Sequence, residues 1–326
     1  MAGSSLRTVD DLATDMDPAL GVLCRFASHR SRFHLLSPAA ARRRLQALGA
    51  MLPKAEALMD RVEQQTIPGP GGPLDVRVYT PADLRADPPA VVYFHGGGWV
   101  LGDLDGVDAW CRMIAGQTPC KVFSVDYRLA PEHPFPAAVD DALAAFRWVR
   151  DQADALKIDA ARIAVAGDSA GGHLAAVVSA ACREELGPCG QVLVYPLTSA
   201  LRDTPSYGHF AEGFGLSRAT MDYFFEHFLA GTETDPRDAR LSPLFTDEVA
   251  TLPPSIIATA GYDVLRDEAI AYADRLREAG VEVAHLHFPS LIHGFANMSG
   301  MEAPRQALDR IVSELAKLFH DLGTTR

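Results

Sequence analysis

Short runs of apolar and β-branched residues alternate with segments of helical period from about residue 74 onward. This alternation predicts an α/β fold with a mostly parallel sheet covered by helices on both faces. The predicted strands are Leu74–Thr80, Ala90–His95, Lys121–Asp126, Arg162–Gly167, Gln191–Tyr195, Ser255–Ala260 and Val281–Phe288. The predicted helices between and after them include Pro136–Ala153, Ala170–Glu185, Asp267–Ala279 and Ala303–His320.

Three regions depart from this alternation. Val62–Ile67 and Leu74–Thr80 flank a turn rich in glycine and proline, which predicts an antiparallel hairpin. Residues 1 to about 50 have a helical period and precede the sheet. The segment from Ser199 to Asp238 is a long insertion between two strands, and it is too aromatic for disorder. We expect the last two regions to cover a pocket, the alternative being ordinary packing of helices on the core. The aromatic residues of the insertion are Tyr207, Phe210, Phe214, Tyr223, Phe224, Phe225 and Phe228.

The charge balance excludes several classes of protein. Lys and Arg number 30 against 42 Asp and Glu, a net charge of −12. This acidity argues against nucleic-acid binding, which needs clustered basic residues. The densest basic run, Arg42-Arg43-Arg44, is expected to form the solvated face of a helix. Met1–Asp17 is polar and acidic, unlike a signal peptide. The sequence contains no run of about 18 apolar residues, so no transmembrane helix is predicted.

The cysteines indicate a reducing compartment. Their number is odd, and they form neither a C-x-x-C pair nor a zinc-ligand pattern with histidine. The five positions are Cys24, Cys111, Cys120, Cys182 and Cys189. We expect most of them to be reduced and buried, as is typical of a cytoplasmic protein.

The strongest local motif is Gly167-Asp168-Ser169-Ala170-Gly171, which has the form G-x-S-x-G. It follows an apolar strand and opens a helical segment, the context that a nucleophile elbow requires. Small flanking residues would leave the Ser169 hydroxyl clear of the backbone, near free N–H groups of the helix N-terminus. The alternative interpretation is a helix N-cap serine in a glycine-rich turn.

Two further residues could activate this serine. A nucleophilic serine needs a general base, and the base needs an orienting acid. Asp263 and His293 each follow a predicted strand, so both are expected at the same edge of the parallel sheet as Ser169. The rival acids and bases are Asp267, Glu268, His173, His285 and His287. The two acids are expected to begin a helix, two of the histidines lie within a strand, and His173 is too close in sequence to Ser169.

The second strong motif, His95-Gly96-Gly97-Gly98-Trp99, ends a predicted strand. Successive glycines allow backbone N–H groups to face a bound oxyanion without obstruction by side chains. We predict a three-donor oxyanion hole from the N–H groups of Gly97, Gly98 and Ala170. The alternative, a phosphate-binding loop, lacks the sequence patterns of such loops. His95 is expected to brace the loop.

Together these motifs resemble the bacterial hormone-sensitive-lipase-like (family IV) esterases. The resemblance extends from about residue 60 to the C-terminus, with the motifs in the family's order. It is carried by His95-Gly96-Gly97-Gly98-Trp99, Asp126-Tyr127-Arg128-Leu129-Ala130-Pro131-Glu132, Gly167-Asp168-Ser169-Ala170-Gly171-Gly172, Gly261-Tyr262-Asp263-Val264-Leu265-Arg266-Asp267-Glu268 and His293-Gly294-Phe295.

The resemblance implies an α/β-hydrolase fold with an eight-stranded, mostly parallel sheet and a helical cap. It implies cap helices in residues 1–50, a catalytic core in 51–198 and 239–326, and a cap insertion in 199–238. The family's functional residues correspond to a Ser169, Asp263 and His293 triad with Gly97, Gly98 and Ala170 as oxyanion donors. Relatives often form homodimers through the last strand of the sheet, here Val281–Phe288.

The expected activity is hydrolysis of short to medium acyl esters through an acyl-enzyme, with no metal or organic cofactor. An amidase, lactonase or arylformamidase could use the same triad, since the pocket sets the leaving-group preference. A ligand receptor on the same fold is a further alternative. A long-chain lipase is disfavoured because no strongly hydrophobic lid helix is evident in the sequence.

Overall fold

Eight strands form one sheet in the computed structural model, which describes residues 15–27, 32–55 and 57–324. Their order across the sheet is β1-β2-β4-β3-β5-β6-β7-β8. The strands are β1 Arg61–Gly69, β2 Gly72–Thr80, β3 Ala90–Phe94, β4 Lys121–Val125, β5 Ile163–Asp168, β6 Gln191–Val194, β7 Ser255–Tyr262 and β8 Val283–Ile292. The first two pair as an antiparallel hairpin, β2 is antiparallel to β4, and all other pairs are parallel. The predicted fold class and hairpin are confirmed.

The strand order creates a crevice above the middle of the sheet. The chain passes from β3 to β4 on one side and later returns to place β5 on the other side of β3. Connections that leave β3 and β5 therefore diverge at the carboxyl edge, the point where open α/β sheets bind ligands. The glycine motif follows β3 and Ser169 follows β5, so both lie at this crevice.

Ten α-helices occur in the described part of the chain. They are α1 Pro18–Ala27, α2 Pro38–Met51, α3 Asp108–Gln117, α4 Ala137–Asp151, α5 Ala153–Leu156, α6 Ala170–Ala181, α7 Pro205–His209, α8 Arg218–Phe228, α9 Arg266–Glu278 and α10 Glu302–Thr324. None of them is both long and apolar enough to cross a membrane. Of the predicted cap helices, residues 1–14 and 28–31 lie outside the described residues, as do residues 56 and 325–326 of the predicted core.

Several element boundaries differ from the sequence-based expectation, two of them beside the candidate site. The last strand begins at Val283 and continues to Ile292, so it delivers the chain directly to His293. The helix after Ser169 ends at Ala181, four residues before the predicted end.

The central strands and α6 are packed without room for side chains at their contact. Every residue of β3, β5 and β7 is buried, as expected for strands with helices on both faces. A Cβ atom added to Gly171 would overlap the carbonyl oxygen of Phe94 at the end of β3. Glycine at this position therefore lets α6 begin directly against the sheet, which fixes the turn that carries Ser169.

The insertion between β6 and β7 packs its rings inward. All seven aromatic side chains named above are buried. Phe228, at the end of α8, stacks on Trp99 with a ring separation of 4.1 Å and an angle of 8°. The insertion is therefore held against the loop that follows β3.

Candidate active site

Ser169 occupies a tight turn between β5 and α6. Its backbone has φ 55° and ψ −119°, a conformation that costs free energy for a residue with a side chain. The turn is held by the Ser169 N–H, which donates to Val194 O at 2.9 Å, and by His173 N–H, which donates to Ser169 O at 3.0 Å. This geometry matches the nucleophile elbow predicted from the motif.

The structure brings Ser169, His293 and Asp263 into one hydrogen-bonded chain. His293 Nε2 lies 2.9 Å from Ser169 Oγ, and His293 Nδ1 lies 2.7 Å from Asp263 Oδ2. Because a carboxylate only accepts hydrogen bonds, Nδ1 carries the proton and Nε2 is free to accept one from the hydroxyl. Asp263 is 1% exposed, and its other oxygen accepts the N–H of Leu265 at 2.9 Å.

Tyr195, which sequence reasoning missed, supports the histidine. Its ring centroid is 4.5 Å from that of His293, and its hydroxyl accepts the N–H of Ala296 at 3.1 Å. The residue follows β6 directly, so its position at the carboxyl edge of the sheet was the available signal. The two rings are tilted by 52° to one another.

The loop after β3, residues 96–101, is called the oxyanion loop below. Gly97, Gly98 and Trp99 have φ values of 120°, 62° and 59°, so three successive residues are in the left-handed region. Within the described residues, no hydrogen bond is donated by the N–H of Gly97, Gly98 or Ala170. All three predicted donors are therefore available to a ligand, whereas buried N–H groups are normally paired.

Asp168 links the oxyanion loop to the turn of the nucleophile. Its Oδ1 accepts the N–H of Gly96 at 2.8 Å and the hydroxyl of Tyr93 at 2.6 Å. Burial raises the pKa of this carboxyl, and the two donors oppose that effect. No local sequence pattern indicates this role of Asp168, because its partners lie 72 and 75 residues away along the chain.

Trp99 and His173 connect the same loop to α6. The Trp99 Nε1–H donates to His173 Nδ1 at 3.1 Å, which leaves His173 Nε2–H to donate to Arg240 O at 3.0 Å. Burial lowers the pKa of His173 to about 4, so the ring is neutral. His173 is thus a structural partner of the loop rather than a base at Ser169.

The other rival residues are also engaged elsewhere. Asp267 and Glu268 lie in the first turn of α9, as expected. A ring nitrogen of His285 and one of His287 each lie 2.9 Å from Thr259 Oγ1, and partial burial of the rings lowers the pKa of both.

His95 has the bracing geometry that the sequence suggested. Its Nδ1–H donates to Gly96 O at 2.7 Å. Its ring stacks on Tyr127 with centroids 4.3 Å apart, and the Tyr127 hydroxyl donates to His95 O at 2.7 Å.

Apolar rings from the insertion border the site. The Phe224 ring lies so close to Gly98 that a Cβ there would overlap it. Next to Asp263 in the chain, Tyr262 stacks on Phe214 with ring centroids 5.5 Å apart. The site therefore has aromatic walls beside both the oxyanion loop and Asp263.

No group of three or more His, Cys, Asp or Glu side chains in the described residues could hold a metal ion. All five cysteines are free, and four of them are buried.

Comparisons with known proteins agree on one family. A model of the α/β-hydrolase fold matches residues 91–297. The carboxylic ester hydrolase LipN of Mycobacterium tuberculosis is 44% identical over 266 residues, covering 79% of this chain and 70% of that protein. An ethyl acetate hydrolase of Pseudomonas putida is 39% identical over 251 residues, covering 75% of this chain and 79% of that protein.

A solved structure extends the similarity to almost the whole chain. It is an ester hydrolase from the metagenome of Lake Arreo, complexed with a derivative of bipyridine phosphonate. The two chains are 40% identical with a TM-score of 0.88, and the alignment covers 94% of this chain and 99% of that one.

Proposed function

Because the chain belongs to the α/β-hydrolase-fold family, as its resemblance to the hormone-sensitive-lipase-like esterases predicted, we propose that it hydrolyses esters through Ser169, His293 and Asp263. The chain is an enzyme of the carboxylesterase type. The observation that carries the proposed mechanism is the continuous hydrogen-bond chain from Asp263 through His293 to Ser169.

The first step is acylation of the serine. His293 Nε2 takes the hydroxyl proton as Ser169 Oγ attacks the ester carbonyl carbon, and Asp263 stabilises the resulting imidazolium. The C–O bond to the alcohol then breaks, and His293 delivers the proton to the leaving oxygen. Water repeats the same sequence on the acyl-enzyme and releases the acid.

The tetrahedral intermediates carry a negative oxygen. We assign its stabilisation to the N–H groups of Gly97, Gly98 and Ala170, which have no other acceptor among the described residues. Such donors are already oriented, so they stabilise the developing charge without reorganisation, and loss of one typically costs roughly 10²–10³ in turnover.

The preferred substrates are esters with short to medium acyl chains. The Phe224 ring against Gly98 and the buried aromatic rings of the insertion support a restricted space beside Ser169. We propose that residues 1–50 and 199–238 form a cap on a catalytic core made of residues 51–198 and 239–326. The same triad could act on an amide or a lactone, and comparison of an ester with its matched amide would separate these activities.

The decisive experiment measures hydrolysis of p-nitrophenyl esters from acetate to palmitate by wild type and by Ser169→Ala. We expect a peak at short to medium chains that disappears in the variant, because the nucleophile is lost. Ser313→Ala, on the exposed face of α10, is the matched control and should keep wild-type activity. Turnover near the wild-type rate in Ser169→Ala would refute the mechanism.

A homodimer and a cytoplasmic location stay predictions for this chain. The unpaired, mostly buried cysteines support a reducing compartment.

A further inference from the structure

We propose that Arg42 of α2 is a positioning residue that holds the oxyanion loop in its active conformation. This inference rests on the proposed function, because the loop matters for catalysis only if Gly97 and Gly98 bind the oxyanion. Arg42 itself does not touch the reacting atoms. It acts through the backbone on the outer side of the loop.

The guanidinium of Arg42 joins two separate segments. Its Nε–H donates to Val100 O at 2.8 Å, and its Nη2–H donates to Ala130 O at 2.9 Å. Two further bonds, of 2.8 Å and 2.6 Å, make a bidentate pair with the Glu132 carboxylate. Since Ala130 N–H also donates to Trp99 O at 2.9 Å, the loop, the segment 130–132 and α2 form one connected unit.

The oxyanion loop needs such external support. Its three consecutive left-handed residues include Trp99, which pays a conformational cost that glycine avoids. Strained backbone of this kind persists only where surrounding contacts over-determine it. Inside the loop, Val100 N–H and Leu101 N–H both bond to Gly97 O, at 3.2 Å and 2.8 Å. The Val100 carbonyl belongs to this turn, and its hydrogen-bond donor is Arg42.

The backbone of the turn couples the contact at Val100 to the N–H groups of Gly97 and Gly98. Peptide units are planar, so anchoring the carbonyls of Trp99 and Val100 limits rotation of the two peptide units that follow Trp99, and this restricts how far the backbone from Gly97 to Trp99 can rearrange. If the anchor is lost, the turn can relax from the left-handed region, and the N–H groups of Gly97 and Gly98 move away from their aligned positions. The consequence falls on the transition state, where the oxyanion forms, more than on the bound ester.

The neighbouring residue of α2 offers a matched control. Arg43 carries the same charge on the same helix, but its side chain is exposed to solvent, whereas Arg42 is half-buried. The variants Arg42→Ala and Arg43→Ala therefore remove the same charge and side-chain type. Only the first removes the bridge to Val100 and Ala130.

The kinetic test compares these variants on p-nitrophenyl butyrate. We expect Arg42→Ala to lower kcat about tenfold with little change in KM, less than the loss of a whole oxyanion donor. A trifluoromethyl ketone, whose adduct with serine places an oxyanion in the hole, should lose affinity by the same factor as kcat/KM. Arg42→Lys should recover part of the loss, since its ammonium can reach one carbonyl but cannot bridge both.

A substitution of Glu132 shows whether Arg42 acts through its bonds to the loop backbone or through its ion pair. Glu132→Gln removes the ion pair but leaves both bonds from Arg42 to backbone carbonyls. If Arg42 acts through the loop backbone, this variant stays within about twofold of wild type, because exposed ion pairs contribute little. If Glu132→Gln and Arg42→Ala lose activity equally, the ion pair is the cause and the proposal is wrong.

Amide hydrogen exchange tests the placement independently of activity. In Arg42→Ala, the amides of Val100 and Leu101 should exchange about tenfold faster than in wild type and in Arg43→Ala, since local opening governs their exchange. Unchanged exchange together with unchanged kcat would overturn the proposal. If wild type hydrolyses no ester, the proposed function fails, while the exchange result still decides whether Arg42 holds the loop.

Discussion

Glu268 is a buried carboxyl whose protonation depends on the fold. The residue is fully buried in the first turn of α9, and its Oε1 accepts the N–H groups of Thr198 and Ser199 at 2.8 Å and 3.1 Å. Burial raises its pKa to about 8, above the ordinary value of 4.5. Between these two pH values the native state holds a proton that the unfolded state releases. The free energy of unfolding therefore falls as the pH rises through this window.

The variant Glu268→Gln removes this pH dependence, since an amide keeps the size of the side chain but has no proton to lose. We expect the difference between the Tm of the variant and the Tm of wild type to increase by about 5 °C, in favour of the variant, as the pH is raised from about 5 to about 9. Thermal unfolding followed by circular dichroism at each pH measures the difference. Glu278→Gln, on the exposed end of the same helix, is the control, and parallel curves for wild type and Glu268→Gln would contradict the prediction.

Single residues were predictable where a local pattern determines their place. Ser169, Asp263 and His293 each follow a strand of a parallel sheet, so the topology places them together. Arg42 could not be recognised in this way. It was expected on a solvated helix face with Arg43 and Arg44, but it turns towards Val100 and Ala130. Its partners lie 58 and 88 residues along the chain, and no local pattern encodes a contact of that kind.

At the scale of elements, α8 and the oxyanion loop support one another. Phe228 of α8 is fully buried between the rings of Trp99 and Phe135. The Phe228 carbonyl also accepts the N–H of Phe135 at 2.7 Å. Packing of this helix thus stabilises the loop through the Trp99 side chain.

Truncation of this contact should destabilise the protein strongly. We expect Phe228→Ala to cost about 3 kcal/mol, because a buried aromatic ring leaves a cavity. Phe228→Leu keeps most of the apolar volume and should cost less than about 1.5 kcal/mol. Urea unfolding followed by tryptophan fluorescence compares the two, and equal midpoints would show that the ring does not anchor α8.

Elements with a clear period were predicted, and a short buried helix was missed. The hairpin and the six later strands follow directly from alternation and turn residues. The helix α3, Asp108–Gln117, was not among the predicted segments, and six of its ten residues are buried. The strand β8 was shifted, since Pro289 and Ser290 within it are poor strand formers.

The whole molecule presents two sheet edges of different character. At one edge lies the hairpin strand β1, most of whose residues are exposed or half-buried. At the other lies β8, whose outer side pairs with no strand of the described residues. An unpaired edge can accept a second strand, which makes β8 the physically plausible contact of the homodimer that the resemblance implies. Each copy carries a net charge of −12, so association works against electrostatic repulsion.

We therefore expect sedimentation equilibrium to give twice the chain mass of 35.1 kDa, with association strengthened by added salt, which screens the repulsion. His287→Lys places a charge at an exposed position of β8 and should weaken the dimer. Gln64→Lys makes the same kind of change on β1 and should not. A monomer at every concentration, or equal weakening by both substitutions, would contradict the β8 contact.

Contacts between early and late parts of the chain also have a consequence during synthesis on the ribosome. The N–H of Asp17 bonds to Ser290 O at 3.0 Å, and the N–H of Gly300 bonds to Pro53 O at 3.1 Å. Because the chain emerges in order, the bond that Asp17 makes just before α1 cannot form until the residues of β8 have left the exit tunnel. A nascent chain that already contains Ser169 and the oxyanion loop still lacks His293. Arrest of translation before β8 therefore leaves a polypeptide with its nucleophile made but without a base to activate it.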